Sequence, residues 1–268
     1  MRYFIKLAYN GAPFFGWQRQ PNQITVQEVL EQAFTMFLKQ RIDITGCGRT
    51  DTGVHAREYF AHFDYDEMLL PDVITRLVFR LNSYLPKEIV IYQIYPMPDN
   101  AHARFDALSR TYRYYVDISK NPFTLNFAFR VYEKLDVELM NIAADFLHSV
   151  TDFTSFSKLN TQVKNNVCEL FSAIWQEKGD QLVFEITANR FLRNMVRAIV
   201  GTLLMVGKGK ISMEEFREIV YMKDRGKAGT SVPAHALFLE KIRYPLNYDW
   251  EQEEMSKQKD DTSDLLWD

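Results

Sequence analysis

The chain is short of cysteine, of long apolar runs and of metal-ligand spacings, and each shortage removes a class of protein. Its 268 residues include two cysteines, Cys47 and Cys168, too few for a disulfide scaffold and without C-x-x-C spacing. A reducing, cytoplasmic setting is the plain expectation. The longest apolar run, Ala198 to Val206, is about half a membrane span and is broken by Gly201 and Thr202. The opening MRYFIKLAYN alternates polar and apolar residues, unlike a signal peptide. No membrane segment is expected. His55, His62, His102, His148 and His235 show no H-x-x-x-H or HExxH spacing, and no nucleotide-binding glycine pattern occurs. Neither a metal nor a nucleotide cofactor is therefore expected.

What is present suits a chain with a large core. Residues are 47% hydrophobic, 25% charged and 14% aromatic, and a chain of this length buries roughly 70–75% of its unfolded surface. The net charge of −3 conceals an uneven distribution. Residues 249–268 carry eight acids and two lysines, while Arg190 to Lys227 carries nine basic residues and four acids. A basic face that suits a polyanion is compatible with that pattern, and so is a solvated helix surface.

Periodicity predicts a sequence of mixed elements. Residues 3–9 alternate as a strand, and Thr25 with Glu28 forms a capping box before a helix. Ile42 to Gly46 and Tyr59 to Tyr65 read as strands around a glycine-rich loop. Pro71 opens a second helix and Ile89 to Tyr95 returns as a strand. A similar set follows: a strand over Thr111 to Ile118, a helix capped by Asp136, and a hairpin around Gly179-Asp180. After it come a long helix over Phe191 to Val206, a helix capped by Ser212 and Glu215, and a strand over Ala236 to Tyr244. Two such sets without strict β-α-β alternation predict an α+β fold on mainly antiparallel sheet. The expected organisation is residues 1–105 as one half, 106–248 as the other, and 249–268 as an acidic, disordered tail.

The stretch GCGRTDTGVHAR, Gly46 to Arg57, concentrates glycine around one carboxylate, Asp51. Such a loop presents a nucleophile or base, or caps its own turn through an Asx hydrogen bond. In an extended stretch Arg49 would point the same way as Asp51. An aspartate ordinarily ionises well below neutral pH, so an arginine partner matters mainly where the site is dry. Asp51-Thr52-Gly53 also matches the aspartic-protease triplet, but that chemistry needs two carboxylates sharing a proton, and the chain holds no second copy. Cys47 reads as a small packed residue. His102-Ala103-Arg104 suits either a phosphate contact or a surface loop. Tyr112 and Tyr114 share a strand face, which serves core packing or base stacking. Arg193 and Arg197, one turn apart on an apolar helix, either snorkel to solvent or border a polar cleft. Lys208, Lys210, Lys223, Arg225 and Lys227 form a basic cluster suited to phosphates.

Taken together, YNGAPFFGWQRQ, TVQEVLEQA, GCGRTDTGVHA, HARFDALSRTYRYYV, NRFLRNMVRAIVGTLLMVGKGK and PAHALFLEKIRYP resemble, in order, the motifs of the tRNA pseudouridine synthase A family. The resemblance runs from about Tyr3 to Pro245. It implies an α+β pseudouridine synthase fold with two similar halves around a central active-site cleft, no metal or organic cofactor, and a homodimer. The implied reaction isomerises uridine to pseudouridine in the anticodon stem-loop of tRNA. It implies Asp51 as nucleophile, Tyr112 as the ring packed on the target uracil and placed to help with the C5 proton, and Arg197 as the partner of the carboxylate. It also implies that Arg49 assists base extrusion. The expected substrate-binding set is Arg49, Tyr112, His55, Arg104, Arg193, Lys208 and Lys210. The chain departs from the family pattern at Asn10, Cys47, Thr52, Arg57 and Ala236, none of which is a proposed catalytic group.

Overall fold

Alternation fixes the first strand, β1 (Arg2–Tyr9), whose Tyr3, Ile5 and Leu7 are fully buried. In the computed structural model, which describes residues 1–158, 165–248 and 250, this face is covered by α1 (Val26–Leu38) and α2 (Pro71–Tyr84). Thr25 caps α1 by accepting from Glu28 N, and Pro71 starts α2 where its missing N–H costs nothing. Between the helices run β2 (Thr45–Gly46) and β3 (His55–Asp64), and β4 (Ile89–Met97) closes this set.

The second set begins with β5 (Ser109–Asp117) and β6 (Phe129–Arg130), followed by α3 (Val137–Phe146) and the hairpin of β7 (Leu170–Lys178) and β8 (Gln181–Ala188). Then come α4 (Met195–Gly207), α5 (Met213–Met222), which starts with a complete Ser212–Glu215 capping box, and β9 (Leu237–Arg243). Among the described residues nine strands form one sheet in the order β4-β1-β3-β9-β5-β8-β7, with β2 beside β3 and β6 beside β5. The ladders are antiparallel apart from β3 with β9 and β5 with β6. The architecture is α+β.

The last strand is the structural keystone. β9 lies between β3 and β5, so residues from the C-terminal end of the chain complete both cores: Leu239 and Ile242 pack with the first, Leu237 with the second. On the face turned away from α1 and α2, one end of the sheet is apolar. There Phe4 and Phe60 are covered by Tyr244, Tyr248 and Trp250, with the Trp250 ring 5.0 Å from Phe60. Elsewhere that face carries alternating charge across the strands. Arg57 meets Glu240 at 3.5 Å, and Arg113 meets Glu240 at 3.0 Å and Glu185 at 2.7 Å.

Several boundaries differ from the sequence reading, and three of them have a clear physical cause. β3 starts at His55 rather than Tyr59 because His55 and Ala56 pair with Phe238 and Leu239, a partner remote in sequence. α4 starts at Met195 rather than Phe191 because Asn194 sits in the left-handed region at φ 66°. Trp250, expected in the charged tail, is 2% exposed and belongs to the first core. The remainder of the tail, residues 249 and 251–268, lies outside the described residues.

Candidate active site

Asp51 stands on a loop fastened from beneath by aromatic and basic side chains. Thr50 turns inward, its Oγ1 2.8 Å from the Tyr9 hydroxyl at the end of β1. The Tyr59 hydroxyl of β3 donates to the Gly48 carbonyl, and the Tyr59 ring stacks on Trp17 at 4.1 Å. Arg110 of β5 donates to the Cys47 carbonyl at 3.1 Å and to the Ala107 and Asn189 carbonyls at 2.8 Å. One guanidinium thus ties the loop to both sets of elements. Burial raises the phenol pKa values of Tyr9 and Tyr59 and pushes the Cys47 thiol up to about 12. Cys47 is a packing group, not a nucleophile.

With Thr50 inward, Asp51 faces outward. Gly53 follows at φ 80°, a conformation that a side chain would strain, and Val54 N closes the turn on the Asp51 carbonyl at 3.1 Å. Among the described residues, the carboxylate takes its hydrogen bond from Arg197, not from an amide of its own turn. Arg197 Nη1 lies 3.2 Å from Oδ2, and Arg193 Nε lies 3.8 Å from Oδ1. Arg197 and Asp51 are 21% and 23% exposed, whereas Arg193 is 61% exposed. The first pair is half-withdrawn from water, which strengthens it; the second cation is free to move. A further bond from Arg197 Nε to the Val232 carbonyl at 2.7 Å sets the guanidinium plane.

These groups line a cavity of about 770 Å³ together with Lys158, Asn194 and Arg225, within the roughly 300–1,000 Å³ of small-molecule sites. Its walls are cationic around a single carboxylate. Tyr112, half-buried between the two cores, meets Phe191 edge to face at 5.1 Å. Burial, then the neighbouring Cys47 and Asp51, hold its phenol above the ordinary tyrosine range, against the nearby Arg110. The neutral ring is a packing surface rather than a standing base.

The other expected site residues are scattered. Arg49 is exposed and bonds Gln18 at 2.9 Å instead of pairing with Asp51. The Arg104 side chain is exposed over Phe105, while its carbonyl accepts from Arg110 at 2.6 Å. His55 is not available to a substrate: it is 1% exposed, stacks on Phe238, accepts from Gly11 N and sits 3.0 Å from the His235 carbonyl. Burial lowers its pKa. Lys208 and Lys210 follow the far end of α4, roughly 16 Å from Arg197 at 1.5 Å per residue, and Lys208 pairs with Glu133 at 2.9 Å. Sequence reasoning left Arg110, Thr50, Tyr9 and Tyr59 unassigned. The run SRTYRYY contained the signal for Arg110, a basic residue on the inward face of a strand.

One presented aspartate, an arginine held on it and a cationic cavity suit nucleophilic chemistry on a polyanion, and comparison with known proteins gives the class, an RNA-modifying enzyme. The family model described as tRNA pseudouridine synthase matches residues 6–106 and 147–245, and the chain belongs to that family. It is 52% identical over 244 residues to tRNA pseudouridine synthase A of Parabacteroides distasonis, covering 91% of this chain and 96% of the relative. The protein of the same name from Porphyromonas gingivalis is 52% identical over 246 residues, covering 91% and 97%. That of Bacillus subtilis is 40% identical over 248 residues, covering 91% and 99%.

Proposed function

We propose that the chain isomerises uridine to pseudouridine in the anticodon stem-loop of tRNA, with Asp51 as nucleophile. The single observation that carries this is the Asp51–Arg197 pair at the wall of a cavity large enough for an everted nucleotide. A stacked uridine hides its C1′ and C6, so the base must leave the helix at a cost of a few kcal/mol, partly recovered by stacking on an aromatic ring. Tyr112 supplies that ring. Arg197 aims the carboxylate and stays paired with it as the site loses water. Asp51 attacks the nucleoside at C1′ or at C6, the N1–C1′ bond breaks, the uracil turns, and C5 bonds to C1′. The bond to Asp51 breaks to return the free carboxylate, and one proton is lost from C5 as one is gained at N1. No net oxidation or hydrolysis occurs, so one carboxylate suffices.

Arg49, at the mouth of the loop, assists extrusion of the base. Arg193 and Arg104 are exposed cations suited to the phosphates on either side. The working form is a homodimer in the cytoplasm. Among the described residues no helix is long and apolar enough to cross a membrane, and no group of three His, Cys, Asp or Glu could hold a metal ion.

The test is release of tritium to water from tRNA transcript labelled at uridine C5, assayed in the presence of a chelator. Release stoichiometric with pseudouridine supports the reading. Tight binding of the transcript without release overturns it.

A further inference from the structure

The segment that leaves α5 and enters β9 crosses directly over α4, and Val232 in it bonds Arg197 twice. The Val232 carbonyl accepts from Arg197 Nε at 2.7 Å, and Val232 N donates to the Arg197 carbonyl at 3.2 Å. The main chain of Val232 therefore holds both the side chain and the main chain of Arg197. This strap approaches so closely because residue 201 of α4 has no side chain: a Cβ there would stand 2.0 Å from the Thr230 carbonyl oxygen. Thr202 Oγ1 accepts from Gly229 N at 2.9 Å, and the buried Tyr114 hydroxyl donates to the Pro233 carbonyl at 2.9 Å.

One side chain holds the strap from its entry side. Arg225 Nη1 donates to the Gly229 carbonyl at 3.1 Å and to the Ala228 carbonyl at 3.4 Å, and its Nη2 donates to Ser231 Oγ at 2.8 Å. Asn194, which precedes α4, bonds the same Ser231 hydroxyl through its Nδ2. The chain of contacts runs Arg225, Ser231, Val232, Arg197, Asp51. We infer that Arg225 is a positioning residue for the isomerisation: its guanidinium fork fixes the strap so that the Val232 carbonyl holds Arg197 on the carboxylate. The inference rests on Asp51 and Arg197 being the catalytic pair. It departs from the reading of Arg225 as one of several cations that touch phosphate, which its place on the cavity wall also fits.

The two roles separate kinetically. A phosphate contact adds to affinity and to its salt dependence, and a lysine serves it well as a point charge. A fork that must reach two carbonyls and a hydroxyl at once has no lysine equivalent. Single-turnover rate and tRNA affinity are therefore measured for Arg225→Lys, Arg225→Gln and Ser231→Ala across a range of salt, with Asp51→Asn alongside. Both Arg225 variants should slow the chemical step by tenfold or more, with affinity within twofold of the parent and an unchanged salt slope. Ser231→Ala, which removes one oxygen and keeps every backbone contact, should slow it two- to fivefold, and its combination with Arg225→Gln should cost less than the product of the two. Weakened binding, a shallower salt slope and full rate for Arg225→Lys would overturn the inference. So would an unaltered rate in Ser231→Ala if the Arg225 variants do not fold. Activity in Asp51→Asn would instead remove the reading beneath it, whatever Arg225 does.

Discussion

At the residue scale, burial decides what each ionisable group does. His62 is 5% exposed, stacks on Phe4 at 5.8 Å and accepts from Ala103 N at 3.1 Å, and burial lowers its pKa from 6.5 to about 4. In the unfolded chain it titrates near 6.5, so between that pH and about 4 the unfolded state binds more protons. Stability from a neutral His62 is present above pH 6.5 and is lost as the pH falls through that window. Thermal melts of the parent and of His62→Gln from pH 7 to pH 4 should show the parent losing more stability. Parallel curves would contradict the account. The same accounting explains why Cys47 and Tyr59 support the loop without entering the chemistry, since burial keeps both protonated.

At the scale of elements, local signals carried most of the structure and close approach between elements was invisible. The Ser212–Glu215 box, the Asp136 cap and Pro71 mark helix starts that the structure keeps. The break of the apolar run at Gly201 and Thr202 was legible too, but only as evidence against a membrane span. Its structural meaning is the crossing of the strap, which depends on residues almost thirty positions later. This gives a test in which propensity and packing oppose each other. In a free helix, glycine to alanine stabilises by about 1 kcal/mol. Gly201→Ala should instead lower the melting temperature and slow tritium release, because its methyl group displaces the Thr230 carbonyl and with it Val232. A variant that is more stable and fully active would show that the strap has room to spare.

At the scale of the molecule, the site exists because β9 returns between β3 and β5 and draws the Asp51 loop to the start of α4. Motifs named Asp51, Tyr112 and Arg197, since each sits in a run whose residue types are dense and ordered. Motifs did not reveal that His55 faces a buried ring stack, or that Lys208 and Lys210 lie at the far end of α4. Those facts follow from pairings between strands distant in sequence and from helix length. Trp250 makes the same point: among charged neighbours it reads as tail, yet it covers Phe4 and Phe60.

The central claim is that one carboxylate, fixed by an arginine and facing a cavity, performs the isomerisation. It is tested most directly by single-turnover tritium release from C5-labelled tRNA with Asp51→Asn in excess over the transcript. The account predicts no release above background while the transcript stays bound with affinity close to the parent, because affinity comes chiefly from phosphate contacts. Release at a rate comparable to the parent would contradict it.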